Sequence, residues 1–248
     1  MTKSMTRTDE VWKTATLSKN FLEGVRGAIP LAAEQLDILI RILQLSGSPL
    51  KTILDLGCGD GILGLTILKQ YPTARVTFLD FSETMIAAAQ QNIQPDFPDA
   101  EFLIKDFGTP DWLQSVQPIA PFDAIVSGFS IHHQTDQRKQ ELYGEIYQLL
   151  APGGVFLNLE HVASASQLGE NLFDQLFVDS LHGYHQNLGS HQSRAEIDRQ
   201  YYSRADKTAN ILAAVELQCD WLRTLGFTDV DCFMKLFEIA LFGGIKPD

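Results

Sequence analysis

The sequence is poor in cysteine, in basic residues and in long apolar runs, and each shortage excludes a class of protein. The three cysteines, Cys58, Cys219 and Cys232, are too few and too widely spaced for a disulfide framework or a cysteine zinc site. We therefore expect a reducing compartment and no metal. No apolar run reaches the length of about 18 residues that a membrane span needs, and the amino terminus lacks a signal-peptide core. These absences favour a cytoplasmic protein with no membrane partner.

Basic residues are also too few for an ordinary nucleic-acid-binding surface. Nineteen lysines and arginines against 31 aspartates and glutamates give a formal net charge of -12. Such a balance repels polyphosphate unless basic residues cluster locally. The composition, with 45% hydrophobic and 20% charged residues, is otherwise that of a globular protein. A small-molecule partner is expected rather than nucleic acid, and a homodimer is left open.

Short aliphatic runs alternate with longer amphipathic segments from Lys51 onward. This alternation is typical of βαβ units in an α/β fold, with a parallel sheet and helices on both faces. In the stretch 227–246 two strand-like runs are joined by only a short turn, which forces antiparallel pairing. The predicted strands are 52–56, 75–80, 101–106, 122–128 and 154–160, followed by that hairpin, and the predicted helices are 60–70, 82–93, 110–115 and 136–150.

Two segments lie outside this alternation. Residues 1–50 contain a predicted helix over 30–45 and are interpreted as an amino-terminal helical cap. Residues 51–248 are interpreted as the main domain. Within it, residues 162–215 are expected to be a mostly helical insertion after the fifth strand that forms a lid over the ligand site. A solvated helical face with ordinary ion pairs explains the charged residues of the insertion equally well.

The stretch ILDLGCGDGILG, residues 53–64, ends a strand with an acid and three glycines at alternate positions. Gly57, Gly59 and Gly61 permit positive φ angles and remove Cβ atoms from the path of a ligand. The spacing differs from the dinucleotide pattern G-x-G-x-x-G. Asp55 places a carboxylate at the mouth, which favours a positively charged ligand. The alternative is a tight strand-to-helix turn with no ligand.

Acids also end the next two predicted strands. Asp80 is placed to accept hydrogen bonds from a ribose diol. The alternative is that Asp80 caps the next helix, but Ser82 already supplies a cap there. Asp106 could accept from an exocyclic amine, and the Phe107 N–H could face a purine ring nitrogen. A capping or loop role explains Asp106 equally well.

Together these residues resemble the first three motifs of the class I S-adenosylmethionine-dependent methyltransferases. The stretches PFDAIVSGFSIHH and LLAPGGVFLNLEH are similar to the later motifs, and the terminal hairpin fits that family's seven-stranded Rossmann-like sheet. The resemblance covers residues 50–246 and implies a methyltransferase with S-adenosyl-L-methionine as cofactor. The resemblance implies that the glycine turn holds the methionine part of the cofactor. It also implies that Asp80 holds the ribose and that Asp106 holds the adenine amine. The residues assigned to the cofactor are Arg26, Asp55, Gly57, Cys58, Gly59, Gly61, Asp80, Phe81, Met85, Asp106, Phe107 and Ser127.

The acceptor of the methyl group is less defined by the sequence. Holding the acceptor atom in line with the methyl group can supply much of the catalysis. A base is needed only if the acceptor must lose a proton. His132 and His133 follow the fourth predicted strand, His161 ends the fifth, and Tyr202 lies in the insertion. These four residues are the catalytic candidates, and each could instead hold loop geometry or face water. We expect a small-molecule acceptor of undetermined identity.

A narrower resemblance concerns FLEGVRGAIP, the insertion and the ending DCFMKLFEIALFGGIK. They are similar to the branch that contains the tRNA wobble-uridine carboxymethyl transferases, which hold carboxy-S-adenosylmethionine with an arginine and a tyrosine of the insertion. Arg199 with Tyr201 or Tyr202 could serve, but Leu31-Ala32 stands where that branch has glycine and a ligand-binding tyrosine. The chain is interpreted as a relative of this branch that uses ordinary S-adenosylmethionine. Carboxymethyl transfer to tRNA and non-catalytic binding of S-adenosylmethionine are the two alternatives.

Overall fold

The computed structural model describes Trp12, Thr14 and residues 25–203 and 209–248, with only the backbone of Arg26. Seven strands form one sheet in the order β3-β2-β1-β4-β5-β7-β6. The strands are β1 (Thr52–Leu56), β2 (Arg75–Asp80), β3 (Glu101–Ile104), β4 (Phe122–Gly128), β5 (Leu150–His161), β6 (Thr228–Leu236) and β7 (Ile239–Ile245).

Eight α-helices surround this sheet in the described part of the chain. They are α1 (Ala32–Leu45), α2 (Ile62–Gln70), α3 (Glu83–Ile93), α4 (Leu113–Val116), α5 (Asp136–Leu149), α6 (Gln167–Asn187), α7 (Arg194–Tyr202) and α8 (Val215–Leu225). Single 3-10 turns lie at Arg26–Ala28, Pro110–Trp112 and Ile131–His133.

The predicted fold class is confirmed. Strands β1 to β5 pair in parallel, and β7 pairs antiparallel with both β5 and β6. The fifth strand, however, begins at Leu150 rather than at residue 154, because Leu150 already pairs with Phe122. A register shift between Phe122 and Ala124 accommodates the APGG stretch, residues 151–154. Helix α8 was not predicted as a separate element.

Buried side chains form one apolar layer on each face of the sheet. Helices α1, α2 and α3 pack on the face of the sheet to which Ile53 of β1 points. Helices α5 and α8 pack on the opposite face, to which Leu54 and Leu56 point. Successive strand residues point to opposite faces, so a strand covered on both sides reads as a continuous aliphatic run. The doubly covered sheet therefore explains why its strands were visible in the sequence.

Helices α6 and α7 pack together beyond the carboxyl end of β5. Their buried residues Val178, Leu181, Ile197 and Tyr201 form a separate cluster with Ala28 of the amino-terminal 3-10 turn. That the two helices form a lid stays a prediction, as do the proposed domain boundaries. Within the described ranges, no helix combines the length and the apolar character needed to cross a membrane.

The pairing of β7 with β5 generates a test of the sheet. A Cβ at Gly243 would lie 1.9 Å from the Phe156 carbonyl oxygen, so Gly243→Ala forces two strand backbones apart. We expect this variant to lower the free energy of unfolding by about 2–4 kcal/mol, measured by urea denaturation.

Gly183→Ala is the matched control for this variant. Gly183 lies inside α6, and a Cβ there would meet no atom within 4 Å. Alanine should leave the stability unchanged or raise it by up to about 1 kcal/mol, because it favours the helix. Equal stability of the two variants would contradict the assigned register.

Candidate active site

The turn after β1 is held against β2 by main-chain hydrogen bonds. The N–H groups of Gly57 and Cys58 both donate to the Leu79 carbonyl, at 2.7 and 2.9 Å. A Cβ on Gly57 would lie 2.2 Å from Ser130 Oγ, so this glycine is needed for close packing. A Cβ on Gly59 would meet no protein atom within 4 Å, and Gly59 lines a cavity. The turn therefore keeps space on its cavity side.

Asp80, the last residue of β2, connects this turn to helix α3. Its Oδ2 accepts from the Gly59 N–H at 3.0 Å, and its Oδ1 accepts from the Ser82 N–H at 2.8 Å. Burial raises the pKa of the Asp80 carboxyl to about 6, and the backbone donors offset part of that rise. The cap of α3 is supplied separately by Ser82, whose Oγ accepts from the Met85 N–H.

Asp55 is buried at the end of β1 and also lines the cavity. Its Oδ2 accepts from the Gly64 N–H of α2 at 2.8 Å. This bond fixes the first turn of the helix relative to the strand. The prediction that Asp55 favours a cationic ligand is consistent with this position on the cavity wall, and it stays a prediction.

The loop after β3 is held by a charged network that the sequence did not reveal. The Phe107 carbonyl accepts from Arg138 Nε at 3.1 Å and from Arg138 Nη2 at 2.8 Å. Glu145 accepts from both Nη atoms of Arg138, at 2.7 and 2.6 Å, and from Trp112 Nε1 at 2.7 Å. Asp106 Oδ1 accepts from the Gly108 N–H at 2.8 Å. Asp106 and Phe107 are thus presented to the cavity on a braced loop.

His132 and Glu160 form a buried pair at the ends of β4 and β5. The ring Nδ1 of His132 lies 2.6 Å from Glu160 Oε1, and the His132 N–H donates to Glu160 Oε2 at 3.0 Å. Both side chains are buried. Burial raises the pKa of Glu160 to about 7, although the His161 N–H and the nearby positive charges lower it. This contact with the carboxyl group orients the imidazole.

Two more histidines surround this pair. The ring centroid of His133 lies 3.9 Å from that of His132, and the centroid of His161 lies 5.6 Å from it. His161 Nε2 lies 2.9 Å from Oε2 of Glu238. The last part of the insertion is anchored here, because the Ile211 N–H donates to the His132 carbonyl at 2.9 Å.

A cavity of about 480 Å³ joins the glycine turn to the histidine cluster, and its volume falls within the usual range for small-molecule sites. The structure thus brings together residues from five strand ends that are far apart in sequence. The predicted site residues that line the cavity are Asp55, Gly57, Cys58, Gly59, Asp80, Phe81, Met85, Asp106, Phe107, His132, His133 and His161.

Three predicted site residues with described side chains are not placed on the cavity wall. Gly61 faces α3, where a Cβ would lie 2.4 Å from Ile93 Cδ1. Ser127 is fully buried, and its Oγ donates to the Leu56 carbonyl at 2.8 Å. Tyr202 is 51% exposed, whereas its neighbour Tyr201 lines the cavity. The side chain of Arg26 lies outside the described residues.

Sequence reasoning missed several residues that line the cavity or hold those that do. Glu238 contacts His161, and Arg138 and Glu145 contact the Phe107 carbonyl and Trp112, respectively. Each of these contacts joins segments more than 30 residues apart, so no local pattern could identify them. The aromatic and apolar part of the wall was also missed. Its members include Trp12, Phe129, Phe173, Phe177 and Ile239.

Comparison with known families identifies the central part of the chain. Residues 53–154 match the family described as Methyltransferase domain. The chain is 33% identical over 130 residues to ribosomal RNA large subunit methyltransferase G of Pseudoalteromonas atlantica, a match that covers 49% of this chain and 34% of that protein. The chain therefore spans about a third of the length of this curated relative.

Comparison with solved structures covers nearly the whole chain. An O-methyltransferase family protein from Burkholderia thailandensis superposes with a TM-score of 0.68 at 15% identity, over 98% of this chain and 63% of that one. Magnesium protoporphyrin IX methyltransferase from Synechocystis PCC 6803, with bound SAM, gives a TM-score of 0.62 at 14% identity, over 99% of this chain and 100% of that one. Residues 53–154 thus resemble methyltransferase domains, and the chain shares the fold of these solved methyltransferase structures.

Proposed function

We propose that this protein is an S-adenosylmethionine-dependent methyltransferase that methylates a hydroxyl oxygen of a small, largely apolar compound. The observation that carries the proposal is the buried His132–Glu160 pair, of which His132 lines the same cavity as the glycine turn and Asp80. One end of the cavity has the features expected for the nucleoside, and the other end has a base.

The residues at the glycine end fit S-adenosylmethionine. The open space at the Cβ position of Gly59 leaves room for a ligand to approach the backbone, and the Asp80 carboxylate beside it can accept from ribose hydroxyls. Asp106 and Phe107 would hold the adenine end. When bound, S-adenosylmethionine supplies a methyl group whose bond to sulfur breaks, leaving the electron pair on sulfur, as the bond to the acceptor oxygen forms.

The insertion residues suggested for a carboxylated cofactor do not lie together on the cavity. Arg199 and Tyr202 are exposed, whereas Tyr201 is buried and donates to Asp174 Oδ1 at 2.7 Å. An arginine and a tyrosine that jointly hold a carboxylate would have to face the same space. This arrangement favours the ordinary cofactor over carboxy-S-adenosylmethionine.

At the acceptor end, Glu160 prepares His132 to take a proton. The carboxylate accepts the Nδ1–H of a neutral imidazole, so the lone pair that can receive a proton is on Nε2. A hydroxyl of the acceptor would lose its proton to this nitrogen as its oxygen is alkylated. The charge that develops on the imidazole is stabilised by the buried carboxylate next to it.

The relatives named as ribosomal RNA methyltransferases make RNA the competing acceptor. The formal net charge of -12 weighs against RNA, because the phosphate backbone would be repelled. The apolar side chains around the histidines, including Phe129, Phe173 and Ile239, also favour an apolar compound over a polyanion.

The histidine pair gives a kinetic test of the reaction. His132→Ala should lower kcat about a hundredfold to ten-thousandfold, because proton removal is lost, while the affinity for S-adenosylhomocysteine measured by calorimetry stays unchanged. In the unmodified protein, kcat/KM should rise with pH and level off above about 7, because the Glu160–His132 pair takes up a proton below that range.

Labelled S-adenosylmethionine distinguishes the acceptor classes. Label should enter apolar hydroxy compounds of a screening library and not purified ribosomal RNA. Incorporation into RNA alone would refute the small-molecule proposal. Failure of both S-adenosylmethionine and S-adenosylhomocysteine to bind would refute the cofactor assignment itself.

Asp80 gives an independent test of the cofactor end. Asp80→Ala should weaken the binding of S-adenosylhomocysteine by roughly 2 kcal/mol, about thirtyfold, because charge-assisted hydrogen bonds to the ribose are lost. In the unmodified protein the affinity should fall as pH decreases below about 6, since the carboxyl becomes protonated and loses an acceptor. Asp80→Asn should abolish this pH dependence. Glu83→Gln, at an exposed carboxylate three residues away, is the control and should bind normally.

A further inference from the structure

His161 belongs to a second imidazole–carboxylate pair in the same cavity. Its Nε2 lies 2.9 Å from Glu238 Oε2, and Glu238 is buried in the turn between β6 and β7. The turn is fixed to β5, because the Val162 N–H donates to the Glu238 carbonyl at 2.7 Å. The His161 N–H donates to Glu160 Oε1 at 2.8 Å. The second pair is therefore held rigidly against the first.

The two pairs use opposite ring nitrogens. Glu160 engages Nδ1 of His132, whereas Glu238 engages Nε2 of His161. In a neutral imidazole the carboxylate takes the N–H, so the lone pair of His161 is on Nδ1. No residue in the described part of the chain hydrogen-bonds this Nδ1, and His161 lines the cavity. His161 thus offers a hydrogen-bond acceptor to a ligand, close to the base.

A row of aromatic rings extends from His161 along the cavity wall. Ring centroids are 5.2 Å apart for His161 and Phe173, 5.7 Å for Phe173 and Phe177, and 5.6 Å for Phe177 and Tyr201. All four residues line the cavity. Successive rings at this spacing form a surface that packs well against a planar aromatic ligand.

We propose that the acceptor is a planar aromatic compound with hydroxyl groups on two neighbouring carbons, an inference that rests on the function proposed above. The first hydroxyl loses its proton to His132 Nε2, its oxygen forms the bond to the methyl carbon, and the bond from that carbon to sulfur breaks with its electron pair left on sulfur. The second hydroxyl donates to His161 Nδ1. His161 is thus a specificity-determining residue, and Glu238 is the residue that positions it.

The test compares two acceptors that differ by one hydroxyl, a naphthalene diol with hydroxyls on adjacent carbons and naphthol. For the unmodified protein, kcat/KM should be at least about tenfold higher with the diol, the effect of one buried hydrogen bond. His161→Phe keeps a ring in the aromatic row but removes the nitrogens. We expect this variant to lose the preference, so that its kcat/KM for the diol lies within about twofold of its own kcat/KM for naphthol.

Two further variants separate positioning from folding. Glu238→Gln retains an oxygen that can accept from His161 Nε2 and should keep most of the diol preference, whereas Glu238→Leu should lose it. His182→Phe is the matched control, since His182 lies on α6 and is not among the residues that line the cavity. Calorimetry on the complex with S-adenosylhomocysteine should show the same order of affinities for the diol.

Each contrary result has a distinct meaning. A diol preference that survives in His161→Phe overturns the assignment of His161, and so does an equal loss of both activities in that variant. Failure of the unmodified protein to methylate either compound, with S-adenosylhomocysteine still bound, overturns the acceptor class alone. Failure to bind S-adenosylhomocysteine overturns the proposed function instead.

Discussion

One buried carboxylate joins the two strand ends on which the proposed chemistry depends. Glu160 accepts from the ring and the backbone of His132 and from the backbone of His161. A negative charge is costly in this buried position, and the three donors, with nearby positive charges, offset that cost. At the opposite end of the cavity Asp80 is satisfied in the same way, by two backbone N–H groups. At each end of the cavity, therefore, a buried carboxylate accepts hydrogen bonds from backbone N–H groups and fixes the backbone around it.

The fold and the glycine end of the cavity were readable from the sequence because their signals are local. The strands are aliphatic runs covered on both faces, and a parallel sheet brings their carboxyl ends to one edge. This topology alone places Asp55, Asp80 and Asp106 near the glycine turn, as the structure has them. It also places His132 and His161 at the same edge. Their roles in binding and catalysis stay predictions.

The remaining features depend on contacts between distant segments. Glu238 reaches His161 only because the terminal hairpin pairs with β5, a register that no short pattern encodes. The choice between Tyr201 and Tyr202 was likewise undetermined, since it depends on the rotation of α7 against α6. In the structure Tyr201 faces the cavity and Tyr202 faces solvent. The early start of β5 at Leu150 required knowledge of the irregular pairing with β4.

The hydrogen bonds that hold the loop after β3 have a consequence for which substitutions this loop can accept. Arg138 contacts the carbonyl oxygen of Phe107 and not its ring, and Glu145 with Trp112 fixes the guanidinium in turn. Every amino acid carries that carbonyl, so the support is independent of the side chain at position 107. A substitution at position 107 can therefore change this end of the cavity while the bonds from Arg138 to the main chain remain in place.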